Sequence, residues 1–441
     1  MRGIFVSIFV AIFFFSISSP FFTTQHSLII AIVSLLVTLW TNEALPLGVV
    51  SLLPLILFPS LGLIDLKDLT FNYSKSIIFL FLGGFMLAIA LKKTDLHRYI
   101  SSKLLSIFPD TPRGVIYSLT ITSALLSSIL SNTTITLMLM PIGLYLSQDR
   151  NLTIRFLLAI AYGASIGGII TPIGTPPNMI LLGFLEDRSI LAPTFGEWII
   201  KVAPIAIVML TVVPYLLSLK LGSISLQNSQ KEQLSLNKDQ KRLLFILGAL
   251  SLLLILNTPI RPYYGGLGLN EKLILLGFGL LMFIPKFGFL EWEDTKEIPY
   301  EIILLFGAGF SIATVFSKSG LALDIAQKIS FVSSYPQFFI LIFISLFVAF
   351  STEITSNTAL TSIALPVFYQ FSKDMGDFST VVMMVATISA SYAFMLPIAT
   401  PPNAIIMSSK VIEVKDMAKF GFFINILGIL TVSIIAYLFW T

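Results

Sequence analysis

Two polar tripeptides and two proline-containing tetrapeptides stand out in this apolar chain. Ser131-Asn132-Thr133 returns as Ser356-Asn357-Thr358, and Thr175-Pro176-Pro177-Asn178 returns as Thr400-Pro401-Pro402-Asn403. Both repeats keep one shift, since 356 − 131 and 403 − 178 are each 225. Gly84-Phe85 and Gly309-Phe310 hold the same register, as do Lys93 and Lys318, Thr136 and Thr361, Pro141 and Pro366, and Pro172-Ile173 and Pro397-Ile398. The chain therefore reads as two copies of one unit, and the repeated residues are polar or helix-breaking. In a membrane protein, that combination points to a carrier with its binding site at the interface between the repeats.

The chemistry expected at these residues is that of helix ends. A helical leg ending at Leu130 exposes carbonyls, whose partial negative charge suits a small cation. A leg starting after Asn132 exposes N–H groups, which suit an anion. Ser131, Asn132 and Thr133 are capping types that add oxygens and an amide donor. Ser356, Asn357 and Thr358 duplicate the arrangement. Gly174-Thr175-Pro176-Pro177 and Ala399-Thr400-Pro401-Pro402 break two further helices, freeing carbonyls before the prolines and N–H groups after them. Four half-helix ends converging on one place would hold an anion without Lys or Arg, and one or two cations without an acidic cage.

The elements that must position these ends are membrane helices. The 441 residues are 56% hydrophobic and 11% charged, with mean hydropathy +0.93. Soluble chains carry about 25% charged residues, so composition indicates an all-α polytopic membrane protein. Apolar spans fall near 3–22, 27–41, 47–59, 76–92, 153–170, 198–219, 243–257, 272–285, 301–317, 379–396 and 416–440, eleven in all. The stretches 112–148 and 335–371 each carry a polar tripeptide between legs shorter than the roughly 20 residues of a full crossing, and read as re-entrant hairpins. The spans 153–170 and 379–396 run into Pro-Pro and resume as half-helices. Residues 1–26 form an N-terminal transmembrane helix, read as retained because no small-residue cleavage pattern precedes Pro20. Residues 27–219 and 243–441 are the two repeats, and the polar stretch 220–242 is a cytoplasmic linker.

With the N-terminus inside, eleven crossings place 18 of the 27 Lys and Arg residues in inside loops and the C-terminus outside. Five crossings and one hairpin per unit make the copies inverted. The absence of Cys removes disulfide and thiolate chemistry, and two histidines, His26 and His97, leave little for a His-based metal centre. No cofactor fingerprint is present. Glu43 is expected to bond a neighbouring helix or backbone group, and Glu353, just before the second tip, to support that tip. Gly163, Gly167 and Gly168 read as a packing face, and Lys93 and Lys318 as snorkelling helix-end residues.

At these motifs the sequence resembles the divalent anion/sodium symporter family, the carriers of dicarboxylates, citrate and sulfate. Ser391 to Ile406 (SYAFMLPIATPPNAII) is similar to the family signature, with Ile406 where Val is usual. Trp40 to Pro46 resembles a second family stretch, with Asn42 where Thr is common. The similarity runs over residues 27 to 440. It implies a homodimeric elevator carrier rather than an enzyme, with sodium as coupling ion and no cofactor. It also implies one sodium site at Ser127, Ser131, Asn132 and Gly174, and another at Thr352, Thr355, Asn357 and Ala399. Substrate carboxylates would meet Asn132, Thr133, Thr175, Asn357, Thr358, Thr400 and Pro401. The expected activity is sodium-coupled symport of a small dicarboxylate across the plasma or inner membrane. A sodium-independent dicarboxylate exchanger and a sulfate or citrate carrier are the alternatives within the family. An ion channel, a membrane enzyme and a proton-driven carrier fit less well. Broken helices suit a sequestered site better than a pore. No nucleophile–base pair stands out, and no Asp or His relay crosses the core.

Overall fold

In lipid a backbone must satisfy its own hydrogen bonds, and this chain does so with helices. The computed structural model describes residues 2–221, 235–260 and 263–441, so most of the expected linker lies outside the described residues. Among these residues every regular element is helical, apart from one isolated bridge between Ile260 and Tyr264. Six helical segments of 18 to 28 residues are long and apolar enough to cross a membrane: Thr24–Thr41, Leu66–Lys93, Arg150–Ile170, Phe195–Leu217, Tyr300–Lys318 and Val414–Phe439. Shorter apolar helices accompany them, and the first, Arg2–Ser18, turns Phe5, Phe9 and Ile12 outward. The protein is a multi-pass, all-helical membrane protein.

Several expected spans change shape for local reasons. Residues 47–59 form two short helices, Leu47–Leu52 and Pro54–Ser60, because Pro54 has no amide to continue the first. The helix expected from residue 27 begins at Thr24, where the Thr23 hydroxyl accepts the His26 amide at 3.2 Å. It therefore runs across the boundary placed after residue 26. The stretch 272–285 is helical only over Glu271–Leu281. The span 379–396 stops at Ala390, and residues 391–400 run unwound to the next helix.

The 225-residue register extends to element boundaries. Pro112–Ser127 maps end to end onto Gln337–Thr352, and Asn132 and Asn357 each open the following helix, Asn132–Tyr145 and Asn357–Ser372. Pro176 and Pro401 open Pro176–Asp187 and Pro401–Ser408. The four hairpin legs have 14 to 16 residues, so each rises only about 21–24 Å at 1.5 Å per residue.

Arg150–Ile170 is the central helix, buried from Leu152 to Ile169. It can sit there because Gly163 and Gly167 bring it against Pro112–Ser127. A Cβ on either would run into the carbonyl oxygen of Thr120 or Ala124. The expected packing face thus holds for these two, whereas Gly168 faces the tip of the first hairpin. A second close crossing joins Ser76–Lys93 to Glu271–Leu281, where Gly83 and Gly279 meet backbone to backbone.

Candidate functional site

The two hairpin tips are wired alike. Ser127 Oγ donates to Asn132 Oδ1 at 2.5 Å, and Thr352 Oγ1 donates to Asn357 Oδ1 at 2.5 Å. Thr136 and Thr361 hydroxyls donate to the Asn132 and Asn357 carbonyls, both at 2.8 Å. Each tip therefore closes a small ring in which a hydroxyl and an amide oxygen lie side by side at a helix N-terminus. Ser131 caps its helix by accepting the Thr134 amide at 3.2 Å, while Ser356 makes no side-chain cap. The Thr355 hydroxyl points back to the Ser351 carbonyl at 2.8 Å.

The breaks are also wired alike. Asn178 Nδ2 donates to the carbonyls of Gly168 at 3.1 Å and Thr171 at 2.9 Å. Asn403 Nδ2 donates to those of Ala393 and Leu396, both at 3.0 Å. These acceptors are 225 residues apart pair by pair. The asparagine thus bonds the carbonyls freed where the helix stops, turning a break into a fixed loop. Both side chains are fully buried, and in both the amide oxygen finds no hydrogen-bond partner among the described residues. In the sequence these asparagines stand only as part of the motif, with no role of their own; their recurrence directly after Pro-Pro is the signal that marks them.

Tip and break meet in the first half. A Cβ on Gly168 would lie 3.1 Å from Asn132 Oδ1 and 3.2 Å from Thr175 Cβ, and one on Gly174 would strike the Gly168 carbonyl. Thr171 Oγ1 donates to the Ser128 carbonyl at 2.5 Å. Ser127, Asn132, Gly174 and Thr175 thus form one cluster, with Gly168 as its floor. Ser131 and Thr133 lie on the same tip, Ser131 exposed and Thr133 half-buried.

In the second half the tie runs through a buried carboxyl group. Glu353 Oε1 accepts the amides of Phe394 at 2.7 Å and Met395 at 2.9 Å, and Asn425 Nδ2 at 2.6 Å. Its Oε2 accepts the Leu396 amide at 2.9 Å. The expected supporting position of Glu353 behind the tip is where the structure puts it. Thr352 also lies 2.9 Å from the Ala390 carbonyl, Ala399 N donates to Leu396 O at 3.2 Å, and Thr400 Oγ1 accepts the Asn403 amide at 3.4 Å. Thr358, Ala399 and Thr400 are buried and Pro401 is exposed. No hydrogen bond joins Thr355 to Ala399. Across the halves, Asn132–Tyr145 packs on Pro401–Ser408 and Asn357–Ser372 packs on Pro176–Asp187, so the four helices that begin at the motifs pair crosswise.

Other charged residues serve elsewhere. Glu43 is exposed and left-handed (φ 50°) after helix Thr24–Thr41. It makes no side-chain bond among the described residues, contrary to expectation, because it sits in the turn that ends the helix. Lys93 and Lys318 do more than snorkel: Lys93 pairs with Asp294 at 2.6 Å and Lys318 with Asp68 at 2.5 Å, each across the two halves. At the far end of Pro176–Asp187, Asp187 pairs with Lys75 and Glu186 with Lys272. Glu186 also accepts Ser76 Oγ at 2.7 Å, and Arg188 donates to Ser317. A cavity of about 390 Å3 opens beside this cluster, lined by Lys75, Asp187, Arg188 and Lys318 rather than by the tips.

The chain is similar to known transporters in sequence and fold. The family model described as "Citrate transporter" matches residues 34–380. The chain is 30% identical to the sodium-dependent dicarboxylate transporter SdcS of Staphylococcus saprophyticus, covering 93% of this chain and 85% of the relative. It is 29% identical over the same shares to SdcS of Staphylococcus aureus strain USA300. The fold is similar to that of the Alcanivorax borkumensis YdaH transporter, with TM-score 0.55 and 14% identity over 83% of this chain and 86% of that one. With the family model covering most of its length and the paired motifs in place, the chain belongs to the divalent anion/sodium symporter family of transporters.

Proposed function

We propose that the protein is a sodium-coupled symporter of a small dicarboxylate of the succinate, malate or fumarate class. The observation that carries the reading is the matched pair of tips. In each, a hydroxyl and an asparagine oxygen stand together at a helix N-terminus, beside a break that an asparagine holds open. Neutral oxygens at the two tips, Ser127, Ser131 and Asn132 with the Gly174 region and Thr352, Thr355 and Asn357 with the Ala399 region, would each hold one sodium ion. The helix N-termini that open at Asn132, Pro176, Asn357 and Pro401, with the Thr133, Thr175, Thr358 and Thr400 hydroxyls, would take the carboxylates.

Coupling follows from charge. No Lys or Arg is placed at the tips among the described residues, so a dianion leaving water would face only dipoles. Two bound sodium ions offset its charge, so the anion binds well only to the sodium-loaded site, and by linkage sodium binds better when the anion is present. The hairpins and broken helices would move together as the transport unit of an elevator, in a homodimer whose two inverted units expose the site to either side in turn. The N-terminus would lie in the cytoplasm.

Radiolabelled succinate uptake into proteoliposomes tests the reading, with inward sodium or potassium gradients and with or without internal succinate. Uptake into empty vesicles with sodium alone is the expected result. Uptake only into preloaded vesicles, indifferent to sodium, would make the protein an exchanger. Sodium-driven uptake of citrate or sulfate in place of succinate would move the substrate class.

A further inference from the structure

The two tips share Ser-Asn-Thr but differ just before it: Ser127, Ser128 and Leu130 in the first are Thr352, Glu353 and Thr355 in the second, and of these three changes only Ser128 to Glu353 brings in an ionisable group. The helices that follow diverge as well. Arg150–Ile170 ends at 170, whereas Phe378–Ala390 ends at 390, which is position 165 in first-half register (390 − 225), five residues sooner. In the first half, residues 169 and 170 are therefore helical. In the second, the corresponding amides of Phe394 and Met395, and that of Leu396, have left the helix and all point to the Glu353 carboxylate. Every partner of that carboxylate is a donor, the set that an ionised side chain takes. The loop is otherwise complete. Tyr162 Oη donates to the Phe394 carbonyl at 2.9 Å, and Asn403 takes those of Ala393 and Leu396. Glu353 is 2% exposed, and Asn425, its fourth donor, is fully buried on helix Val414–Phe439.

We propose that Glu353 is a positioning residue for the second cation site. Its side chain replaces the missing helical turn and fixes the unwound backbone of residues 394–396 against the tip that carries Thr352, Thr355 and Asn357. The loop leading to Ala399 and Thr400 is thereby held opposite those oxygens. The first site has no such dependence on a carboxylate, because its break is held by helical backbone, by Thr171 and by Asn178. The inference rests on the sodium-symport reading and gives its two cation sites unequal construction, the second being the one whose affinity depends on a buried carboxylate.

The test is Glu353→Gln in proteoliposomes at fixed ionic strength, with sodium half-saturation and succinate KM at saturating sodium read separately. Thermal stabilisation of the detergent-solubilised protein by sodium chloride alone is the third readout. Expected are a sodium half-saturation raised about tenfold, the order set by weakening a charge-assisted hydrogen-bond set, a sodium-induced thermal shift reduced to match, and a succinate KM changed by no more than about twofold. A purely structural role would lower the amount of active protein and leave the sodium dependence of the remainder alone. A folded Glu353→Gln protein with wild-type sodium half-saturation overturns the proposal. Should that variant not fold, Asn425→Ala, which removes one donor of four, is expected to raise sodium half-saturation about threefold, and an unchanged value overturns the proposal equally. Wild-type uptake indifferent to sodium would instead remove the symport reading itself, and this inference with it.

Discussion

At the scale of single residues, both the tips and the breaks are built around asparagine. Asn132 and Asn357 each present an amide oxygen already bonded by a neighbouring hydroxyl, and under the proposed function the amide N–H would meet the anion. Asn132→Ala or Asn357→Ala is expected to reduce sodium-driven succinate uptake at least about 100-fold, since each change removes a group that both ions would share; wild-type uptake in both would refute the site. Asn178 and Asn403 do a different job, each bonding two buried carbonyls. Asn178→Ala or Asn403→Ala strands those carbonyls, which should cost about 2–4 kcal/mol of stability, read as a lowered thermal midpoint in detergent that saturating sodium and succinate only partly restore.

At the scale of elements, the sequence was legible wherever polarity or proline interrupted an apolar run. The hairpin legs fall within a few residues of the expected stretches, and the breaks lie at the expected motifs. The end of Phe378–Ala390 was not legible, because the amides just beyond it bond a carboxylate 37 residues upstream of its last residue, and the helix ends well before the Pro-Pro downstream. Helix boundaries set by tertiary partners leave no local mark. The glycines show the same limit: spacing suggested one face for Gly163, Gly167 and Gly168, yet only the fold separates the two that touch Pro112–Ser127 from the one that floors the tip. Gly167→Val should destabilise the protein by about 1–3 kcal/mol or more by pushing the central helix off that leg. Gly248, in open space on Lys238–Asn257, should accept Ala with a gain of up to about 1 kcal/mol. Parallel thermal melts of the two variants check both signs.

At the scale of the whole molecule, the two halves hold each other. Lys93 reaches Asp294 and Lys318 reaches Asp68, and the legs opening at Asn132 and Asn357 pack on the half-helices of the opposite repeat. The far end of Pro176–Asp187 is fastened separately, by Lys75, Lys272, Ser76 and Ser317, to Ser76–Lys93, Glu271–Leu281 and Tyr300–Lys318 or the residues that flank them. Several of these partners are open to solvent, the Glu186 side chain at 43% and Lys272 at 25%, so dissolved ions weaken them over a screening length of roughly 8 Å at physiological strength. If Pro176–Asp187 travels with the substrate, each cycle must part these charges, and adding potassium chloride at constant sodium should then speed maximal uptake in the wild type and much less in a Lys75→Ala/Asp187→Ala protein. Under the proposed symport, sodium chloride would reach this molecule by two routes, as a passenger at the tips and as background electrolyte at the clasp. A sodium titration without compensating salt would then add the two together and overstate the cooperativity of the passenger.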